Sequence, residues 1–262
     1  GEMNPGFGGV HPEPIARNLG ALAGAIAAGH GEMGVATDGD GDRSGAMDGR
    51  GQFVDPHRIL ALALRYLVEK RGWRGKVVKT VSTTQMVNRL AAKYGLDVIE
   101  TPVGFNYIAE HMLKDDVLIG GEESGGMSFR GHIPEGDGIL IGLLLIEMVA
   151  VYGEPLDALV AQLLREAGPA IYQRRDLRLV HPVSKTDITR KLVESPPAAL
   201  GGVKVADIQT MDGVKYITED ESWLLIRPSG TEPVLRVYAE GRDEEMVQAL
   251  LGFGEKVAQE AM

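Results

Sequence analysis

From residue 55 onward, short apolar runs alternate with segments of helical period, and this alternation restricts the fold more than any other feature of the chain. Asp55-Pro56 reads as an N-cap and first helical position for a periodic segment at 59–69. Asp accepts a hydrogen bond from the free N–H groups of a first turn, and Pro holds the helical φ there. Strands are expected at 77–80, 96–100 and 117–120, with helices at 84–94 and 106–113 between them. Strand and helix alternating in this way imply an α/β layer. Two helices, 138–152 and 155–167, follow before a boundary at Gly168-Pro169. Beyond it the pattern is an extended segment at 171–180, a helix at 186–194, β segments at 203–211, 223–226 and 234–239, and a final helix at 244–259. Asp212-Gly213, between Met211 and Val214, reads as a hairpin turn. This second part is a small α+β domain. No internal repeat or low-complexity tract is evident.

The stretch before residue 55 is less regular. A Gly- and Pro-rich entry leads into a helix expected at 14–28, because Glu13-Pro14 resembles a helix start. A short apolar strand at 34–37 then runs into an acidic loop at 38–43.

With 262 residues, 44% hydrophobic and 24% charged, the chain has the balance of a globular protein of more than one domain. Its formal charge of -10 opposes unspecific attraction to nucleic acid or an anionic membrane surface, so any phosphate site must be a local basic pocket. Without cysteine there are no disulfides, thiol nucleophiles or thiolate metal sites, and a reducing, cytoplasmic setting is expected. The apolar run at 19–28 resembles a signal-peptide core, but it is Gly/Ala-rich and follows Glu13-Pro14, so it reads as a helix of a globular protein; the run at 139–151 is too short to cross a bilayer and contains Glu147, so it reads as a buried helix.

Three loops carry candidate chemistry. In Thr37-Asp38-Gly39-Asp40-Gly41-Asp42-Arg43, carboxylates alternate with glycines, so a permissive backbone can turn Asp38, Asp40 and Asp42 towards one cation. All-oxygen ligation suits Mg²⁺ or Ca²⁺ better than zinc. An EF-hand is excluded, because its sixth position needs Gly where Arg43 stands and its twelfth needs Glu where Gly49 stands. The remaining alternative is a solvated acidic turn. In Gly120-Gly121-Glu122-Glu123-Ser124-Gly125-Gly126, at a strand end, the glycines would let backbone approach a ligand, and Glu122 and Ser124 offer an acceptor and a donor to sugar hydroxyls. A Gly-rich turn with its acids in water is the competing reading. In Arg227-Pro228-Ser229-Gly230-Thr231-Glu232-Pro233, followed by Arg236, a guanidinium fork, two hydroxyls and exposed backbone N–H groups suit an anion; the alternative is a Ser-Gly turn beside a surface arginine.

In this order and at this separation, the loops resemble those of the α-D-phosphohexomutase superfamily of phosphoglucomutases and phosphomannomutases. Asn4-Pro5-Gly6-Phe7, His11-Pro12-Glu13-Pro14 and Thr101-Pro102-Val103-Gly104 add to the likeness, which spans nearly the whole chain. The resemblance implies a mixed-sheet α/β domain followed by a small α+β C-terminal domain like the TATA-binding protein. It places residues 1–48 at the end of domain two, 49–168 in domain three and 169–262 in domain four, with domain one upstream. It implies a Mg²⁺-dependent mutase that interconverts hexose 1-phosphate and hexose 6-phosphate of glucose or mannose, through a phosphoserine and a hexose 1,6-bisphosphate. By carry-over, Asp38, Asp40 and Asp42 hold Mg²⁺ with Arg43 beside it, and Glu122 and Ser124 hold sugar hydroxyls. Arg227, Ser229, Gly230, Thr231 and Arg236 hold the phosphate that is not reacting.

The family's serine loop, Thr-Ala-Ser-His-Asn-Pro or close to it, does not occur in this sequence. The chain alone is therefore expected to be inactive, with the N-terminal portion of the same protein and hexose phosphates as its partners. A non-catalytic phosphosugar-binding module is the alternative, and a divalent-ion-binding structural protein a third. Two departures stand out: Gly136 precedes Asp137-Gly138 where many relatives have a basic residue, and Asn106 stands near a position where many have Lys or His. His132 is a weak candidate for the general acid or base. Because the metal loop would sit on a remnant of domain two without much of its own core, the sugar and phosphate loops are expected to be the better formed.

Overall fold

In the computed structural model, which describes residues 3–179, 184–229 and 233–261, the chain forms two compact units, Gly1–Ala167 and Gly168–Met262. The first unit opens with α1 (Gly20–Ala27), β1 (Gly34–Thr37), β2 (Ser44–Met47) and β3 (Phe53–Val54), followed by α2 (Pro56–Glu69). Strands β1, β2 and β3 form an antiparallel sheet in that order. The expected helix at 14–28 is shorter than its sequence suggests: Ile15 is extended, residues 16–18 make one 3₁₀ turn, and α1 starts only at Gly20. The cause is tertiary. The chain at Pro14 lies against β2 so closely that a Cβ on Gly45 would sit 2.2 Å from the Pro14 carbonyl oxygen.

The α/β layer then runs β4 (Lys76–Thr80), α3 (Gln85–Tyr94), β5 (Val98–Thr101), α4 (Phe105–Lys114), β6 (Val117–Gly121), β7 (Met127–Phe129), α5 (Gly138–Tyr152) and α6 (Leu156–Ala167). Its sheet has the order β5-β4-β6-β7, parallel except for β7 at the edge. Helix ends follow local chemistry. Asp55 caps α2 by accepting from the Arg58 N–H, Thr84 caps α3, Asp137 caps α5, and Gly95 and Gly153 end their helices in the left-handed conformation.

Adjacent residues of β6 show how the layers stack. A Cβ on Gly120 would lie 2.3 Å from Ile108 of α4, and one on Gly121 would lie 2.7 Å from Leu60 of α2. Because successive strand residues point to opposite faces, α4 covers one face of the sheet and α2 the other. Gly120 and Gly121 are therefore buried packing residues that admit the two helices, and not the ligand-facing backbone expected from the sequence. Helix α2, whose Ile59, Leu60, Leu64 and Leu67 are at 0% exposure, is the central element of this unit.

The second unit contains β8 (Ile171–Arg178), α7 (Lys185–Glu194), β9 (Ala199–Leu200), β10 (Val203–Gln209), β11 (Val214–Thr218), β12 (Trp223–Pro228), β13 (Val234–Gly241) and α8 (Glu244–Ala261). The strands make one antiparallel sheet in the order β8-β13-β12-β11-β10-β9. Tyr216, Leu224, Ile226, Leu235 and Val237 from its central strands pack with Leu192 of α7 and Val247 and Leu250 of α8. The turn expected at Asp212-Gly213 is wider than a two-residue hairpin, since the last register pair across it is Gln209 with Lys215. Among the described residues no single helix is long and apolar enough to cross a membrane; α5 and α6 reach the required length only as a pair bent by 86°.

Two substitutions in α2 separate capping from packing. Asp55→Ala is expected to lower unfolding free energy by about 1 kcal/mol, whereas Leu60→Ala, which leaves a void above Gly121, is expected to lower it by ~2–5 kcal/mol. Denaturant unfolding checks both, and equal losses would count against α2 as the packing centre.

Candidate metal and phosphosugar site

Two antiparallel hairpins of the first unit carry the first two loops at their tips. Strands β1 and β2 flank residues 38–43, and β6 and β7 flank 122–126. In the first tip, buried Asp38 organises the turn: its Oδ1 accepts from the N–H groups of Gly41 at 3.0 Å and Arg43 at 3.2 Å, and its Oδ2 accepts from Arg43 Nε at 2.6 Å. Gly41 has a φ of +81°, a conformation that makes this tight return possible. Asp38, Asp40 and Asp42 each bring a carboxylate oxygen to within 4.8 Å of the others.

The electrostatics of this tip are uneven. Burial disfavours the Asp38 charge, but the hydrogen bonds from Arg43 outweigh it and hold the carboxyl below its ordinary pKa. At Asp42 burial, the hydrogen bond with Asp38 and repulsion from Asp38 and Asp40 push the carboxyl up to about 6, and the Arg43 charge opposes the rise without outweighing it. Its Oδ1 is buried without a hydrogen-bond partner among the described residues, 3.6 Å from Arg43 Nε. Hard oxygen donors, one of them orphaned and destabilised by its neighbours, fit a divalent cation such as Mg²⁺.

The second tip is closed by its own backbone, with Glu122 N–H donating to the Gly126 carbonyl at 2.9 Å and Gly125 N–H to the Glu122 carbonyl at 3.2 Å. Glu122 Oε1 accepts from the Gly104 N–H at 3.0 Å, and Oε2 accepts from Ser124 Oγ at 3.4 Å. Burial raises the Glu122 pKa; the Gly104 N–H opposes this, and the charges of Glu123 and Asp42 add to it. The Gly104 bond ties the Thr101-Pro102-Val103-Gly104 segment to the loop.

Backbone contacts lock the two tips together. Ser44 N–H donates to the Gly125 carbonyl at 3.2 Å, and Arg43 and Gly126 form an antiparallel bridge. The first N–H of α5, on Gly138, donates to the Gly41 carbonyl at 2.8 Å, and Asp137 N–H donates to the Met127 carbonyl at 3.1 Å. Glycine is required at these junctions. Added Cβ atoms would stand 2.7 Å from Ser44 O at Gly125, 2.3 Å from Arg43 O at Gly138, and 2.8 Å from Asp42 O at Gly136. The Gly136 departure thus lies where the chain passes hard against the metal loop. His132 lies against the cap of α5, its Nε2 2.9 Å from Asp137 Oδ2. The metal loop is consequently held by the α/β layer, although the strands beneath it are few.

In the second unit, Arg227 and Arg236 are register partners on β12 and β13. Ser229 N–H donates to the Val234 carbonyl at 2.8 Å, closing the loop backbone. Gly230 and Thr231 lie outside the described residues. Arg227 Nε donates to Asp212 Oδ2 at 2.7 Å. The sequence marks Asp212 only as a turn residue, and no local spacing signals the contact, since 15 positions separate the pair. Glu13 was likewise unassigned, yet its Oε1 lies 3.9 Å from Arg43 Nη1.

A mixed α/β layer followed by a β-rich C-terminal unit matches the fold of phosphohexomutase structures. The chain belongs to the phosphoglucomutase/phosphomannomutase family: family models match α/β/α domain II at residues 1–51, α/β/α domain III at 55–167 and the C-terminal domain at 188–252. The phosphoglucomutase/phosphomannomutase of Thermococcus kodakarensis is 32% identical over 98% of this chain and 53% of its own length. The phosphoglucosamine mutase of Methanocaldococcus jannaschii is 32% identical over 99% of this chain and 56% of its own. A crystal structure from Thermus thermophilus, provisionally named a phosphomannomutase, superposes with a TM-score of 0.83 at 36% identity, covering 98% of this chain and 53% of that one. The chain spans about half the length of the curated relatives it matches.

The tuned carboxylate gives a pH signature. Asp42 keeps its proton to about 6 when folded but only to its ordinary 3.8 when unfolded. The folded state thus binds more protons between those values, and stability falls as pH rises through that window. In metal-free buffer Asp42→Asn is expected to raise the melting temperature at about pH 8 and to leave it nearly unchanged at about pH 4. Calorimetric melts at both pH values check this, and a lowered melting temperature at the higher pH would contradict it. Gly125→Ala, at a φ of +105° and against Ser44 O, is expected to destabilise the first unit by roughly 2 kcal/mol or more, measured in the same melts.

Proposed function

We propose that this chain supplies the metal, sugar and distal-phosphate loops of a phosphohexose mutase that interconverts hexose 1-phosphate and hexose 6-phosphate. The observation that supports the reading is the backbone lock between the Asp38–Asp42 tip and the Glu122 tip, since a cation site beside a sugar-hydroxyl site would need these groups held together. Asp38, Asp40 and Asp42 would hold Mg²⁺, and when bound the ion offsets charge on the phosphoryl group being transferred. Arg43 braces Asp38 and keeps it ionised. Glu122 and Ser124 take sugar hydroxyls, and the Gly104 N–H holds Glu122 in place. Arg227, Ser229, Gly230, Thr231 and Arg236 grip the non-reacting phosphate.

The division into the end of domain two at 1–48, domain three at 49–168 and domain four at 169–262 belongs to the same reading. So do the cytoplasmic setting, the hexose 1,6-bisphosphate intermediate and a phosphoserine contributed by an N-terminal portion. The hexose is glucose or mannose; relatives named phosphoglucosamine mutase add glucosamine to the class to be tested. A non-catalytic phosphosugar-binding module is the second reading.

An assay with glucose 1-phosphate, Mg²⁺ and a trace of glucose 1,6-bisphosphate is expected to show no turnover by this chain alone. Appreciable turnover would overturn the requirement for the missing serine. Binding of Mg²⁺ measured by calorimetry is expected to weaken at least about tenfold in Asp40→Asn, the loss of one charged ligand; unchanged binding would remove the triad as the metal site.

A further inference from the structure

The phosphate loop of the second unit contains an arrangement that its sequence motif does not include. Arg227 stands near the end of β12, and its Nε donates to Asp212 Oδ2 at 2.7 Å. Asp212 is only 6% exposed and comes from the loop between β10 and β11. Gly213 is what lets that loop approach. Its φ is +98°, and a Cβ there would lie 2.5 Å from the Ile226 carbonyl oxygen and 3.1 Å from Arg227 Cα. The Asp-Gly pair therefore serves close docking on β12, which accounts for a turn wider than a two-residue hairpin.

Charge gives the contact a purpose. Arg227 and Arg236 are register partners on neighbouring antiparallel strands, so two cationic side chains stand opposite each other on one face, an arrangement that is unfavourable without a counter-charge. A buried carboxylate against Arg227 supplies one negative charge on this side of the pair, and on the other side Asp176 of β8 is the register partner of Arg236. Holding the guanidinium by Nε fixes its plane while using one of its five N–H donors. A fork oriented in advance loses less freedom when it binds a phosphate.

We infer that Asp212 is a positioning residue for phosphate recognition: it orients the Arg227 guanidinium, so that a sugar phosphate meets a preformed fork. This rests on the reading of Arg227 as a phosphate ligand.

The test is a double-mutant cycle on the full chain, with glucose 6-phosphate as the titrant in calorimetry and a melt of every variant. Asp212→Ala is expected to weaken binding about tenfold, the scale of a lost charge-assisted hydrogen bond, and Asp212→Asn, which keeps an acceptor oxygen, by less. In an Arg227→Lys background Asp212→Ala is expected to add almost nothing, because lysine has no Nε–H fork to align. If Asp212→Ala weakens binding equally in both backgrounds, or leaves the wild-type affinity intact while Arg227→Lys lowers it, the inference is overturned and the phosphate-ligand reading stands. If Arg227→Lys binds as well as wild type, or the wild type does not bind glucose 6-phosphate at all, the underlying reading fails and takes the inference with it. Should Asp212→Ala melt below the assay temperature, Asp212→Asn carries the same cycle with the same two outcomes.

Discussion

Everything proposed for the first unit depends on one set of backbone contacts. Ser44 N–H to the Gly125 carbonyl and Gly138 N–H to the Gly41 carbonyl join two hairpin tips and the start of α5 into a single assembly. Glycine makes this possible, because Gly125, Gly136 and Gly138 all sit where a side chain would overlap a neighbouring carbonyl. A small three-stranded sheet buries little apolar surface of its own. Its acidic tip is ordered because the better-packed α/β layer supplies hydrogen-bond partners for it.

The lock also shapes the electrostatics. It places three carboxylates close together and beside Glu122, so their mutual repulsion must be offset. Arg43 offsets it at Asp38, and the N-terminus of α5 contributes favourable partial positive charge where Gly138 meets the loop. Asp42 is left with the residual strain and a raised pKa. Carboxylates held this close repel one another less with a cation between them than without one.

Much of this was legible in the sequence where local chemistry decides the outcome. The Asp55-Pro56 start of α2, the helix from 138 to 152 and the strand at 34–37 all appear as expected, because capping and apolar runs leave local signatures. The three loops could be picked out from residue types and spacing, and their family order gave the likeness. The strands at 44–47, 127–129 and 214–218 were not anticipated: the first two are short, four and three residues, and pairing rather than propensity makes them strands. The late start of α1 and the purpose of Gly120 and Gly121 depended on distant partners, Gly45 in one case and Leu60 and Ile108 in the other. Asp212 was invisible as a site residue for the same reason, since only the β11–β12 pairing brings it to Arg227.

Hydrogen exchange on the metal-free chain tests the central claim, that the two tips form one locked unit, most directly. If they do, the amides of Ser44, Gly138 and Glu122 exchange slowly and open together with the amides of β6, at one common free energy. Fast, independent exchange at Ser44 and Gly138 while β6 and Glu122 stay protected would show a loose acidic hairpin beside an ordered layer, and would contradict the account.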